Sequence, residues 1–210
     1  MLFRSSSQFA APAGPGFDTG GRLIYAVGDI HGRDDLFARL LERIVADSAT
    51  RAAAFDTPPV IVLLGDYVDR GPNTDGVMRF LARLTAEDGR ILCLRGNHED
   101  MMISAILADG LHRWLENGGG ETCASYMNAD AGTMLDNVEW MKSLPVMHED
   151  DRFAYVHAGL IEGREDDRRV TGWHRYGKLD GSGYKGKIVV HGHTPVRDPE
   201  IDRKSTRLNS

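Results

Sequence analysis

The sequence predicts an α/β fold, and three observations carry that reading. Short apolar runs rich in Val, Ile and Leu alternate with segments whose apolar residues recur at helical spacing. Each run is followed by glycine beside a side chain able to bind a metal or move a proton. The 210 residues, 41% hydrophobic and 27% charged, have the composition of a globular chain long enough to bury a core without covalent staples.

The elements follow in order. Residues 1–21 are rich in Ser, Ala, Pro and Gly, show no period and are expected to form a disordered leader. Strands are expected at 23–27, 60–64, 91–94, 153–156 and 187–190, each short enough and apolar enough to be buried on both faces. Between the first two, Leu36, Phe37, Leu40, Leu41, Ile44 and Val45 form one helical stripe, with Asp34 or Asp35 placed to cap it. Val77, Phe80, Leu81 and Leu84 mark a second helix, and Met102, Ile106 and Leu107 a third. Val138, Met141 and Leu144 mark a fourth, stopped by Pro145. Gly118-Gly119-Gly120 reads as a helix C-cap and turn. Glu99 and Asp100 read as capping or solvating the third helix. The folded domain is expected over 22–201. The tail 202–210, DRKSTRLNS, can be encoded by a common sequencing-library adapter and is expected to be non-native, which would leave the domain incomplete at its C-terminus.

Composition excludes several classes. Lys and Arg number 25 against 31 Asp and Glu, a net charge of −6, which argues against a nucleic-acid or anionic-membrane partner. No apolar run approaches the ~20 residues that span a bilayer, and a cytoplasmic location is expected. Cys93 and Cys123 are too few for a disulfide scaffold or a four-cysteine zinc site, and both read as small packing residues. Oligomeric state is not encoded in any visible pattern.

The strand ends carry the chemistry. They read GDIHG (28–32), GDYVDRG (65–71), RGNHE (95–99), HAG (157–159) and HGHTP (191–195). Ligands bind outside the carboxyl ends of strands in open α/β sheets, so these segments meet at one rim. There they gather Asp29, His31, Asp66, Asn97, His157 and one of His191 or His193. A mixed oxygen and nitrogen set suits manganese, iron or zinc. Six donors exceed one catalytic ion and fit two, with Asp66 on the second strand as the bridge. His98 lies beside Asn97 and can donate a proton, with Asp69 fixing its tautomer. Arg70 and Arg95 can fork onto phosphate oxygens.

In sum these segments resemble the motif series of the phosphoprotein-phosphatase family, the calcineurin-like metallophosphoesterase branch that contains serine/threonine protein phosphatases, and most of all its bacterial and phage-type members. The resemblance covers about residues 22–200, including WLENGGGETCASY and SLPVMHEDDRFAYVHAGL. It implies a β-sandwich of two mixed sheets flanked by helices. It implies that Asp29 and His31 hold one metal, that Asp66 bridges, and that Asn97, His157 and His193 hold the other, manganese being favoured over iron or zinc. His98 with Asp69 becomes the proton donor, Arg70 and Arg95 bind phosphate, and Arg175 in TGWHRYG is a further phosphate-binding candidate, with Arg168 and Arg169 as competitors.

The implied activity is hydrolysis of phosphomonoesters, with phosphoserine or phosphothreonine in proteins placed first as substrate because GDYVDRGP retains Asp69. Symmetrical hydrolysis of diadenosine tetraphosphate is the alternative, and an inert truncated metal-binding fragment is the non-enzymatic one. The expected partner is a phosphorylated protein or a small phosphoester.

Overall fold

The computed structural model describes residues 21–55, 57–127, 129, 131–175, 184–195, 200–201 and 205–207. The chain runs β1 (Ile24–Val27), α1 (Asp34–Arg51), β2 (Val60–Leu63), α2 (Thr74–Glu87), β3 (Ile91–Cys93) and α3 (Asn97–Leu107). It continues through α4 (Leu111–Trp114), α5 (Gly120–Tyr126), α6 (Ala131–Ser143), β4 (Met147–Glu149), β5 (Phe153–Val156), α7 (Arg168–Thr171), β6 (Ile188–His191), β7 (Glu200–Ile201) and β8 (Ser205–Arg207).

Two sheets form. The first has the order β1-β2-β3 and the second β4-β5-β6-β8-β7. The second sheet is mixed: β5, β6 and β8 run parallel, and β4 and β7 are antiparallel to their neighbours. Among the described residues the first is not mixed, contrary to the sequence expectation. Its strands are all parallel, because α1 and α2 carry the chain back between them.

Alternation along the strands builds three apolar layers. Val62 and Leu64 face Phe153, Tyr155 and Val190 across the gap between the sheets, with Leu94 beside them. The intervening Leu63 joins Val27 on the opposite face, where Phe37 of α1, Val77 and Leu81 of α2, Met102 of α3 and Val138 of α6 pack. Ala154, Val156 and Val189 face outward from the second sheet and are covered by Leu160 and Tyr184. Burying one such side chain contributes roughly 1.5–3 kcal/mol, so the inter-sheet layer fixes the sheets against each other and with them the rim where their strands end.

The four expected helices are present, and α3 begins at Asn97 itself, so two candidate site residues form its first turn. α1 has no side-chain cap; Asp34 and Asp35 lie inside its first turn. At the Gly118-Gly119-Gly120 run the expected break is found: Gly118, with φ of 100°, is non-helical and makes a kink, and the helix restarts at Gly120 as α5. Cys93 is buried in β3, whereas Cys123 is exposed on α5. The leader lies outside the described residues apart from Gly21. Of the tail 202–210, residues 205–207 form β8, which pairs with β6, and the remainder lies outside.

Candidate metal centre

Each donor is delivered by a turn that follows a strand. Six described non-glycine residues have positive φ, and five of them are His31, Asp66, Asp69, Arg70 and His193. Such conformations are costly for L-residues and persist only where surrounding bonds enforce them. At Asp66 the enforcing group is Glu99. Its buried carboxylate accepts the backbone N–H of Asp66 and Tyr67 at 2.8 Å each, of Val68 at 3.4 Å, and of Gly96 at 2.8 Å. Glu99 does cap its own helix through Gly96, yet it also shapes the neighbouring loop, a role the sequence reading missed. Burial first, and then the Asp66 charge, push its carboxyl up to about 7. Asp66 in turn passes its carbonyl to the N–H groups of Ile30 and His31, both at 2.9 Å, so the first two strand-end loops are stitched together.

Asp66 is the centre. Its Oδ2 lies 3.3 Å from His157 Nε2, 3.8 Å from His31 Nε2 and 4.0 Å from His98 Nε2, while its Oδ1 accepts from His98 N–H at 3.0 Å. His157 Nε2 also lies 2.9 Å from Asn97 Oδ1 and 3.2 Å from His193 Nδ1. Asp29 joins through Oδ2, 3.9 Å from His31 Nε2, and its Oδ1 accepts from His193 N–H at 3.2 Å. All six expected donors therefore meet on one rim. Asp29, His31, Asp66 and Asn97 come from the first sheet's strand ends, His157 and His193 from the second's.

The tautomers suit ligation. His31 Nδ1 donates to Val68 O at 2.8 Å and His157 Nδ1 to Leu64 O at 3.0 Å, which leaves both Nε2 atoms facing Asp66. Among the described residues, the donor atoms of His31, Asp66 and His98, and those of Asp66, His157 and His193, fall into two groups that share Asp66. Two imidazole groups around a common carboxylate, with Asp29 Oδ2 beside His31 and Asn97 Oδ1 beside His157, could hold a pair of divalent ions.

Charge at the rim is out of the ordinary. Burial disfavours ionised Asp66, but His157, His98 and His31 outweigh it and hold its carboxyl below the usual range. Burial pulls His157 down, but the Asp66 and Asp29 carboxylates dominate and raise it to about 9. Burial, with His157 nearby, lowers His193 to about 4, and burial lowers His31, so both are neutral imidazoles able to ligate. Burial and the Asp66 charge raise Asp29.

His98 and Asp69 form the expected pair. His98 Nδ1 lies 2.7 Å from Asp69 Oδ2, and both side chains are buried. The free edge of His98, Nε2, accepts from Arg70 Nη2 at 2.9 Å, and Arg70 Nη1 donates to His31 Nε2 at 2.8 Å. Arg70 is exposed, so its guanidinium closes the rim from the solvent side.

The other arginines divide. Arg95 is engaged away from Asp66: Nη1 donates to Lys142 O at 3.1 Å and Nε lies 3.1 Å from Asp100 Oδ1. Arg175 is exposed, and its positive charge is felt at His193. Arg168 is a buttress, donating to Asp100 Oδ2 and to the carbonyls of Arg95 and Gly96. Asp100 thus pairs with two arginines, which the capping reading overlooked. His191 is buried at the end of β6, outside both donor groups.

The fold and this rim of donors define a metallophosphoesterase class of protein. The pattern that describes the calcineurin-like phosphoesterases matches residues 22–207, and the chain belongs to that family. It is similar to a symmetrical bis(5'-nucleosyl)-tetraphosphatase of Dechloromonas aromatica, 31% identical over 138 residues, covering 65% of this chain and 44% of that one. The match thus spans less than half the length of that relative. The asymmetrical bis(5'-nucleosyl)-tetraphosphatase PrpE of Bacillus velezensis is 26% identical over 218 residues, covering 88% and 82% of the two chains. A cold-active protein tyrosine phosphatase superposes with a TM-score of 0.67 at 15% identity, over 89% of this chain and 69% of that one, a likeness of fold. No helix among the described residues is long and apolar enough to cross a membrane.

Proposed function

We propose that the protein is a metal-dependent phosphohydrolase that cleaves dinucleoside tetraphosphates. The convergence of Asp29, His31, Asp66, Asn97, His157 and His193 on one carboxylate carries the hydrolytic reading. The substrate follows the relatives, symmetrical and asymmetrical alike, which reverses the order in which the sequence ranked phosphoprotein and dinucleotide.

Asp29 and His31 would hold one divalent cation, Asn97, His157 and His193 the other, and Asp66 both. Manganese is the favoured identity, with iron or zinc as alternatives. Two such ions would supply an activated water and neutralise charge on the phosphoryl oxygens. Arg70 turns its fork from the two imidazoles onto those oxygens, with Arg175 and Arg95 as further cationic candidates. His98 gives the proton on Nε2 to the departing oxygen as the phosphorus–oxygen bond breaks, and Asp69 holds Nδ1–H throughout.

Product analysis on the manganese-loaded chain decides. ADP alone from diadenosine tetraphosphate marks symmetrical cleavage, and ATP with AMP marks asymmetrical cleavage. An intact dinucleotide overturns the proposal. The second reading, a phosphoserine or phosphothreonine phosphatase, is favoured by the His98–Asp69 pair. A serine alkoxide is a strongly basic leaving group that needs a proton, whereas a nucleotide phosphate is a weak base that leaves readily without one. Phosphate release from phosphopeptides without dinucleotide cleavage would establish it.

A further inference from the structure

We propose that Trp114 and Thr122 are positioning residues for the proton donor. They hold Asp69 in the one orientation that presents His98 Nε2 to the leaving group. This rests on the reading of His98 as that donor.

Asp69 is fully buried and uses both carboxylate oxygens. Oδ2 takes His98 Nδ1 at 2.7 Å. Oδ1 accepts from the indole Nε1–H of Trp114 at 2.8 Å and from Thr122 Oγ1 at 2.7 Å. The polarity of this cluster is determined. An indole N–H can only donate, and a hydroxyl has one proton. Thr122 gives that proton to Asp69 Oδ1, so its oxygen accepts from Asp69 N–H at 2.9 Å and from Thr74 Oγ1 at 3.1 Å. Two donors on Oδ1 occupy both of its lone pairs and leave Oδ2 for the imidazole alone. Neither rotation of Asp69 nor a proton on Oδ1 is compatible with the set. Trp114 and Thr122 are themselves buried, so each bond is made out of water.

The two donors reach one carboxylate because of the segment between them. Trp114 ends α4 and Thr122 lies in α5, and the kink at Gly118 brings the two helices round Asp69. Gly119 lies flat on the indole, where a Cβ would come within 2.5 Å of the ring. Gly118 O also accepts from Arg70 N–H at 3.1 Å, so the same segment steers the phosphate-facing arginine.

The proton transfer balances simply. His98 enters as the imidazolium, with Nδ1–H on Asp69 and a second proton on Nε2 once Arg70 has turned to the phosphoryl oxygens. The bond from water oxygen to phosphorus forms with one water proton passing to solvent. The bond from phosphorus to the leaving oxygen breaks, and its electron pair takes the Nε2 proton, leaving His98 neutral with Nδ1–H still on Asp69. A misaligned donor hurts a basic leaving group and spares an acidic one. A merely structural defect lowers both rates together.

The experiment uses the manganese-loaded full chain with phenyl phosphate and p-nitrophenyl phosphate, in wild type, His98→Ala, Trp114→Phe, Thr122→Val and Thr122→Ser. The expected result is that Trp114→Phe and Thr122→Val each lose about tenfold more kcat on phenyl than on p-nitrophenyl phosphate, a part of the roughly 10²–10⁴-fold that a positioned acid contributes. Thr122→Ser, which keeps the hydroxyl, should restore the wild-type ratio. If His98→Ala shows the leaving-group bias and the other two variants lose both rates equally, this inference falls while the proton-donor reading stands. If His98→Ala itself shows no bias, both fall. NMR gives a reading independent of turnover, including for a chain inactive on both esters. The low-field Nδ1–H resonance of His98 should move upfield in Trp114→Phe and Thr122→Val, and an unchanged resonance in folded variants overturns the inference.

Discussion

At the scale of single residues, the proposed roles separate holding a metal from moving a proton. His98 touches Asp66 through its backbone N–H, but its Nδ1 is committed to Asp69. His98→Asn should therefore cut turnover by roughly 10²–10⁴ and leave the manganese content unchanged, as elemental analysis and steady-state rates would report. His157 behaves differently. Its raised pKa means that the His157–Asp66 ion pair stabilises the metal-free protein fully below the ordinary value of 6.5 and is lost as pH rises through about 9. Ligation needs the neutral imidazole, so manganese uptake should release a proton below about pH 9 and tighten as that pH is approached. Calorimetry in buffers of different ionisation enthalpy measures that proton directly. Asp29, His31, Asp66, Asn97 and His157 were legible in the sequence, because strand, glycine and donor sit side by side in the chain. Glu99 was not. A carboxylate in the first turn of a helix reads as a cap, and only the folded chain reveals the three N–H groups of a loop some thirty residues earlier in sequence, at Asp66, Tyr67 and Val68, that it also serves. Trp114 and Thr122 lie in a segment that carries the family resemblance, but no local pattern shows that they meet on Asp69.

At the scale of elements, the turns are as exacting as the donors. Gly65 sits at φ of 105°, and a Cβ there would lie 2.5 Å from the backbone nitrogen of Gly96, which cannot yield as a side chain can. Gly65→Ala should destabilise the fold by about 1–3 kcal/mol and displace Asp66 from Asn97. Urea unfolding and manganese stoichiometry would both register it. The strands of the first sheet and the helices between them were readable because helical and strand periods alternate cleanly over β1 to α3, although the wholly parallel order of that sheet was not expected. The stretch from α4 to α5 was less so. The run of three glycines marks the break at Gly118, but the immediate restart at Gly120 and the packing of the segment against the Trp114 indole and Arg70 depend on contacts distant from any local pattern. The edge strands β4 and β7 escaped for a related reason: three residues or fewer carry no period of their own, and their pairing partners define them.

At the scale of the whole molecule, cation binding and folding are linked. Donors on the folded rim do not exist as a set in the unfolded chain, so manganese at about a hundred times its dissociation constant should add about 2.7 kcal/mol of stability and raise Tm by about 5–10 °C. Thermal melts with and without a chelator measure it, and Asp66→Asn should abolish the difference. The sequence named the fold class correctly, but placed a phosphoprotein before a dinucleotide as substrate. That ordering rested on one motif, whereas recognition of a substrate beyond its phosphates depends on surfaces that no catalytic motif describes.

Among the described residues the two sheets share no hydrogen-bonded ladder, and the donors straddle the seam between them. A cation pair on that rim would then work as a rivet as well as a reagent, adding to the apolar layer and the few polar bonds, such as His157 to Leu64 O and His193 N–H to Asp29, that already join the halves. Metal starvation would cost such a molecule its mechanical integrity and its chemistry at one stroke, and supply of the ion would set its lifetime as well as its speed.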